Sequence, residues 1–141
     1  MRIRYFLIGA IFLSVFGTGI TSGVFERDAE AKCRILSVKN SLEESKAVFT
    51  GEVVAEEKTG DVKQFTFRID KYWKGGNKKE ADVFVYQTTR YQSPFKEGEK
   101  FLVFAREDGE GKLTVSRCSR SKELSYAEDD LSELGAGKVP R

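Results

Sequence analysis

The chain has 141 residues, of which 33% are charged and 40% are hydrophobic, and its formal net charge is +2. A charge so close to balance gives no reason to expect a polyanionic partner such as nucleic acid. The sequence contains no histidine, which is the commonest general base and the commonest metal ligand. Most familiar hydrolytic and zinc sites are therefore excluded.

The first 31 residues have the three parts of a secretory signal peptide. Arg2 and Arg4 give a basic start, residues 5–20 form an apolar run, and Ala29-Glu30-Ala31 is a small-x-small cleavage site. As a helix the apolar run reaches about 24 Å, less than the roughly 30 Å of a hydrocarbon core. We therefore expect a secreted or cell-envelope protein, cut at the end of that site and off the membrane afterwards. An earlier cut near Gly23 and a retained anchor stay open as alternatives.

Removal of residues 1–31 leaves 110 residues, enough for one domain with one core and too few for two. The removed part carries three basic and three acidic residues, so the net charge of the remainder stays at +2. We expect one monomeric domain over residues 32–135, followed by a flexible end at residues 136–141.

The hydrophobic pattern of this domain predicts five strands. Apolar residues alternate with polar ones over residues 49–55 and 65–69, which predicts two long strands joined by a tight turn at Thr59-Gly60-Asp61. Continuous apolar runs at residues 83–86 and 101–105 predict strands that are covered on both faces. A fifth strand contains Leu113 and Val115, after a turn at residues 108–111.

Two helices flank these strands in the sequence. Ser41 and Ser125 are each followed three residues later by a glutamate, which is the pattern of a capping box at a helix start. The second helix should end at Gly135. Its predicted apolar stripe consists of Ala127, Leu131 and Leu134. The sequence thus predicts a mainly β protein: a five-stranded closed barrel of the oligonucleotide/oligosaccharide-binding (OB) type, with a short N-terminal helix and a C-terminal helix.

Cys33 and Cys118 are the two cysteines of the chain. In an exported protein an even number of cysteines indicates disulfide bonding, so we expect these two to pair. Closing a loop of this length stabilises a protein by about 4 to 5 kcal/mol in the chain-entropy model.

Several short motifs occur in a characteristic order between the two cysteines and beyond. They are Ala47-Val48-Phe49-Thr50-Gly51-Glu52-Val53, Trp73-Lys74-Gly75, Pro94-Phe95 with Glu97-Gly98-Glu99, Leu102-Val103-Phe104-Ala105, Cys118-Ser119-Arg120, Leu124-Ser125, Ala127, Asp130-Leu131 and Leu134-Gly135. In this order they resemble the bacterial secreted domains that are similar to tissue inhibitors of metalloproteinases. The resemblance covers nearly all of residues 33–135 and implies the OB-type barrel and a non-enzymatic, protein-binding role.

The chain departs from this family at one disulfide. Family members usually begin with Cys-x-Cys and carry a further cysteine near the Pro-Phe element, whereas Ala31 and Tyr91 stand at those positions here. Cys33 and Cys118 correspond to the family's other bridge. In the animal inhibitors an N-terminal cysteine chelates the protease's zinc, but here Lys32 would be the first residue. We therefore expect no zinc chelation by that route.

The resemblance also implies where a partner binds. In the family, the N-terminal segment and the connector that bears the second cysteine form one ridge. The corresponding residues here are Lys32, Arg34, Ile35, Thr88, Thr89, Arg90 and Tyr91. We expect a protein partner, with a secreted metalloprotease as the candidate. Without the missing bond, the two parts can stay adjacent only if Tyr91 packs over the N-terminal segment.

A carbohydrate or cell-wall binding module on the same fold is the rival interpretation. Trp73, Arg90 and Tyr91 would then contact the sugar, although a tryptophan at a strand end more often plugs the end of a barrel.

The sequence suggests no cofactor, no metal site and no enzyme. A dense group of acids lies near the start of the last helix, and we interpret it as a solvated helix face rather than as a cation site. Its members are Glu128, Asp129, Asp130 and Glu133. No acid, base and nucleophile occur together in a catalytic pattern.

Overall fold

A computed structural model of the protein describes residues 33–141. The predicted signal peptide, its cleavage site and Lys32 lie outside the described residues. The described part contains six strands, two α-helices (α1 and α2) and one turn of 3-10 helix. In chain order they are α1 Val38–Glu44, β1 Ala47–Thr59, β2 Val62–Lys74, β3 Glu80–Tyr86, β4 Lys100–Glu107, β5 Leu113–Thr114, β6 Lys122–Glu123, the 3-10 turn Leu124–Tyr126 and α2 Glu128–Leu134.

Five of these strands form a closed ring. The sheet runs in the order β1, β2, β3, β5, β4, and β4 pairs again with β1. The pairing of β3 with β5 is parallel, and the other pairs are antiparallel. β6 pairs antiparallel with the first part of β4, through Phe101 with Glu123 and Leu102 with Lys122. The protein is therefore mainly β, and the five predicted strands are confirmed. Strand β6 was not predicted, because two charged residues show no alternation.

Strand β1 has a register irregularity at Gly51. The register of the β1–β2 pair shifts between Thr50 and Gly51, as it does at a β-bulge. A Cβ at Gly51 would lie only 2.7 Å from the carbonyl oxygen of Arg68 on β2. A residue without a side chain is therefore required where the two strands approach most closely.

Strand β4 separates two hydrophobic clusters. Phe101, Val103 and Ala105 point into the ring, whereas Leu102 and Phe104 point outward toward the helices, and all five are buried. The prediction that this strand is covered on both faces is confirmed.

Inside the ring, the core is aromatic. Five phenylalanines make edge-to-face contacts there, with ring centroids 5.0 to 6.4 Å apart. They are Phe49, Phe65, Phe67, Phe95 and Phe101. Such contacts add to the hydrophobic stabilisation of the core.

For β3, the prediction of coverage on both faces is wrong. Val83 and Val85 face the interior and are buried, but the side chain of Tyr86 is 49% exposed. Both helices pack over β4 and, in the described part of the chain, none packs over β3. The outer side of β3 is therefore only partly covered: Nζ of Lys112 lies 5.0 Å from the centre of the Phe84 ring there.

Both helices are confirmed, but both predicted capping boxes are wrong. Helix α1 begins at Val38, because Ser37 supplies the cap: its Oγ accepts a hydrogen bond from the N–H of Asn40 at 3.1 Å. Ser41 lies inside the helix. Ser125 lies in the 3-10 turn, where its Oγ donates to the carboxylate of Glu123. The earlier start of α1 places Val38 against the outer cluster.

The chain beyond α2 pairs with the ring. Gly135 ends the helix as predicted, with φ of 74°. The N–H of Tyr72 donates to the carbonyl of Lys138 at 2.8 Å, and the N–H of Lys138 donates back at 2.9 Å. The N–H of Arg141 donates to the side-chain oxygen of Asn77 at 2.7 Å. Residues 136–141, which the sequence suggests are flexible, thus have hydrogen-bond partners on β2 and in the turn after it.

Candidate functional site

Cys33 and Cys118 form a disulfide, as the sequence predicts. Their Cα atoms are 5.1 Å apart and they are separated by 85 positions in the chain. Both residues are exposed. The bond therefore holds the start of the described chain to the surface beside β5 rather than to the interior.

Residues 33–36, which we name the presented segment, project an apolar side chain into solvent. Ile35 is 93% exposed, although the segment is held on both sides of it. Cys33 is fixed by the disulfide, and the carbonyl of Leu36 accepts a hydrogen bond of 2.8 Å from Nη1 of Arg120. The result is a large hydrophobic side chain on a segment that is attached at both ends.

The side chain that holds Leu36, Arg120, is itself held by a buried carboxylate in α2. Nε and Nη2 of Arg120 donate to the two oxygens of Asp130 at 2.8 and 2.7 Å, and Nζ of Lys122 lies 3.0 Å from the same carboxylate. Asp130 is only 2% exposed, so its assignment to a solvated helix face was wrong. Glu128, Asp129 and Glu133 are exposed as expected. The spacing of Arg120 and Asp130 gives no sign of this pair in the sequence.

The ionised form of Asp130 is favoured. Burial alone would raise the pKa of this carboxyl, but hydrogen bonds from Arg120 and Lys122 outweigh that effect and hold the pKa below its usual value. The same hydrogen bond raises the pKa of the Arg120 guanidinium. Both groups therefore stay charged around neutral pH, and the anchor of Leu36 remains in place.

Arginines surround the presented segment. Arg34 donates to Glu44 at 2.8 Å, and Arg106 from β4 pairs with the other oxygen of that carboxylate. A cleft of about 320 Å³ beside the disulfide is lined by Arg34, Arg106 and Arg120, and Arg117 lies next to Ile35 on a neighbouring surface. Arg34 and Arg106 share Glu44, and Arg120 is paired with Asp130, so the arginines around the presented segment outnumber the carboxylates that pair with them.

Residues 88–91, the other part of the predicted ridge, form a tight turn. The main chains of Thr88 and Tyr91 exchange hydrogen bonds of 3.1 and 3.3 Å, and Oγ1 of Thr88 accepts from the N–H groups of Arg90 and Tyr91. Thr89 and Arg90 are exposed. Tyr91 is half-buried against the interior core, and burial raises the pKa of its phenol. The adjacency of this turn to the presented segment stays a prediction.

Trp73 packs against the chain's own C-terminal end. Its Nε1 donates to the carbonyl of Gly135 at 3.1 Å, and a Cβ built at Gly137 would lie 3.0 Å from the ring atoms Cε2 and Cζ2. The side chain also contacts the outer hydrophobic cluster. Part of the ring surface that a sugar would need is thus occupied by residues 135–137.

Comparison of the chain with protein-family models and with curated proteins finds no match. In residues 33–141, no helix has the length and apolar character to span a bilayer. Nor do three or more acidic or cysteine side chains gather in that part of the chain in a group that could hold a metal ion.

Proposed function

We propose that this protein is an exported, non-enzymatic module that binds another protein through the presented segment, with Ile35 as the apolar anchor. The observation that carries the proposal is the 93% exposure of Ile35 between two fixed points, the Cys33 disulfide and the Leu36 carbonyl. A segment that is already ordered loses little conformational entropy on binding. Its apolar side chain can therefore contribute most of its burial energy to affinity.

The charges around Ile35 suggest the chemistry of the partner. Arg34, Arg117 and Arg120 lie beside the disulfide and the presented segment. Arginine is enriched at binding hot spots, and complementary charge increases both specificity and the association rate. The partner that fits is a protein with an apolar pocket rimmed by acidic groups.

Two further features support a module of the kind found in the metalloproteinase-inhibitor family. The strand order β1, β2, β3, β5, β4, closed by the β1–β4 pairing, supports an OB-type barrel. The Cys33–Cys118 bond joins the two residues that match one bridge of that family, and a disulfide supports an oxidising compartment outside the cytoplasm. A secreted metalloprotease is accordingly the first partner to test.

The mode of inhibition would differ from zinc chelation by an N-terminal cysteine. Cleavage after Ala31 makes Lys32 the first residue, and both sulfur atoms are used in the disulfide. Binding would instead rest on Ile35 and on the surrounding arginines. An inhibitor of this kind blocks access to a cleft and leaves the metal's own ligands in place.

The test uses the protein as a bacterial host exports it, with its N-terminus established by mass spectrometry. Binding to a panel of purified secreted zinc metalloproteases is measured together with their inhibition. Ile35→Asp should abolish a complex that the native protein forms. Val139→Asp is the matched control, because Val139 is also a large exposed hydrophobic residue, at 65% exposure, and lies near the C-terminus.

Each outcome bears on a different part of the proposal. Equal binding by the Ile35→Asp and Val139→Asp variants would remove Ile35 from the interface. Loss of binding in an Arg90→Glu, Tyr91→Ala double variant would add the turn at residues 88–91 to the interface. A panel with no complex at all would exclude metalloproteases as the partner class, and retention of residues 1–31 would contradict export by a cleaved signal.

A further inference from the structure

The ring of strands has a weak point between β3 and β5. The two strands pair only through Val83 with Leu113 and Phe84 with Thr114. In the first half of β3, Glu80, Ala81 and Asp82 pair with β2 on one side, and no described strand pairs with their other side. The first three residues of β3 therefore form an open sheet edge, which can accept a further strand.

A cleft of about 530 Å³ lies along this open edge. Its apolar lining includes Phe49 and Ile69 from the interior core, together with Tyr72, Ala81 and Leu113, which are only partly buried against that core. Three of the four partly buried residues at the margin of the core thus meet in this cleft. Apolar side chains of a ligand would complete the burial of these residues.

The turn between β2 and β3 forms one wall of the cleft. Gly75 and Gly76 adopt φ values of 100° and 92°, and a Cβ at Gly75 would lie 2.7 Å from the Cβ of Ala47. The turn is therefore pressed against the start of β1. A site framed by strand ends and a fixed turn needs little rearrangement to bind a ligand.

Positive charge is concentrated at this turn. Nζ of Lys74 donates to the carbonyl groups of Leu42 and Glu43, both at 2.9 Å, so its charge is not neutralised by a carboxylate there. Lys78 has no ion pair within residues 33–141. Negative charge lies instead on β3, at Glu80 and Asp82.

Of the other charged side chains that line the cleft, all but Glu80 have a side-chain partner within residues 33–141. Lys46 pairs with Glu107 at 3.1 Å, and Lys112 pairs with Glu110 at 3.2 Å. The carboxylate of Asp82 accepts a hydrogen bond of 2.7 Å from Thr66. The turn with Lys74 and Lys78 is therefore the part of the cleft that is best suited to a ligand carboxylate.

We propose that this cleft binds an extended peptide of a partner protein, which adds a strand to the open edge of β3 and places a carboxylate at Lys74 and Lys78. Main-chain hydrogen bonds to the edge would provide affinity, and alternate apolar side chains would contact Tyr72 and Leu113. The site is separate from the presented segment, so it extends the proposed function with a second binding surface.

The experiment uses a synthetic hexapeptide of alternating valine and threonine, acetylated and amidated at its ends, whose last residue is glutamate. A glutamine version is the charge control, and a glutamine version with a free C-terminus distinguishes a terminal from a side-chain carboxylate. Titration is followed by the backbone amide signals of the isotope-labelled full chain. Shifts should be confined to residues 72–84 and to the residues of β5. The glutamate peptide should bind about fivefold more tightly than the glutamine peptide.

Two matched charge reversals test where the carboxylate of the peptide binds. Lys78→Glu should weaken binding of the glutamate peptide about tenfold, because an attraction becomes a repulsion, whereas Lys79→Glu should change it less than about twofold. Lys79 is adjacent and exposed but does not line the cleft. Equal effects of the two variants, shifts at residues 33–36 instead, or no shift at millimolar peptide would overturn the proposal. So would a response of the same amides to chitohexaose but to none of the peptides.

Discussion

Arg120 and Asp130 are joined by two parallel hydrogen bonds of 2.8 and 2.7 Å, and the remaining arm of the same guanidinium holds the carbonyl of Leu36 at 2.8 Å. One side chain thus connects α2 to the presented segment. The stability of the C-terminal helix and the orientation of Ile35 depend on the same contact.

Replacement of Arg120 by alanine should lower the free energy of unfolding by about 2 to 4 kcal/mol, because the buried Asp130 loses its main partner. Urea denaturation of the oxidised protein measures this. Arg106→Ala is the control: it also removes an arginine–carboxylate pair, but one that is exposed, and should cost less than about 1 kcal/mol. Similar losses in the two variants would show that the Asp130 pair has no special role.

The same pair should make stability depend on pH. The folded-state pKa of Asp130 lies below its usual value, so the unfolded chain binds more protons between the folded pKa and about pH 4. The stabilisation is complete above about pH 4 and is lost as pH falls through the folded pKa. Asp130→Asn should reduce this acid-induced loss.

The control for the pH experiment is Asp108→Asn. The pKa of Asp108 is also lowered, mainly by a hydrogen bond from the backbone N–H of Lys112, so part of the acid dependence belongs to that turn. The Asp108→Asn variant should still show the loss of stability in acid that is due to Asp130. An Asp130→Asn protein with the same pH slope as the native protein would contradict the assignment.

The sequence was sufficient to predict the parts of the fold that depend on local pattern. Alternation and apolar runs located the five ring strands, and two cysteines behind a signal-peptide pattern were enough to predict the disulfide. Gly135 was correctly identified as the end of a helix. The strands and the helix end depend on residues that are close in sequence. The disulfide could be predicted from the number of cysteines alone.

The parts that depend on distant contacts were not predictable in the same way. Ser41 has the pattern of a cap, but the packing of Val38 on the outer cluster favours a helix that begins one turn earlier. Asp130 resembles its solvated neighbours in sequence and differs only because Arg120 approaches it in the fold. The exposure of Ile35 likewise follows from two attachments that are 85 and 84 positions away in the chain.

Leu102 and Leu131 belong to the same outer cluster but should differ in their effect on stability. Leu102 is fully buried on β4, whereas Leu131 is partly buried on α2. Leu102→Ala should lower the free energy of unfolding by about 3 to 5 kcal/mol, and Leu131→Ala by about 1 to 2 kcal/mol, because less apolar area is lost. Glu133→Ala, on the exposed side of α2, is the control and should be close to neutral. A larger loss for Glu133→Ala than for Leu131→Ala would show that α2 presents the opposite face.

A side chain at Gly137 should be destabilising, because this residue lies against Trp73. A Cβ there would be 3.0 Å from two atoms of the indole ring and 3.2 Å from the Cβ of Lys71, so Gly137→Val must displace the ring or the C-terminal end. We expect a loss of about 1 to 2 kcal/mol in the free energy of unfolding and a red shift of the fluorescence of Trp73, the chain's single tryptophan. Gly109→Val is the control, since a Cβ at Gly109 meets no atom within 4 Å. Unchanged fluorescence and stability in Gly137→Val would mean that residues 136–141 do not rest on Trp73 in solution, and that the ring is open to a ligand.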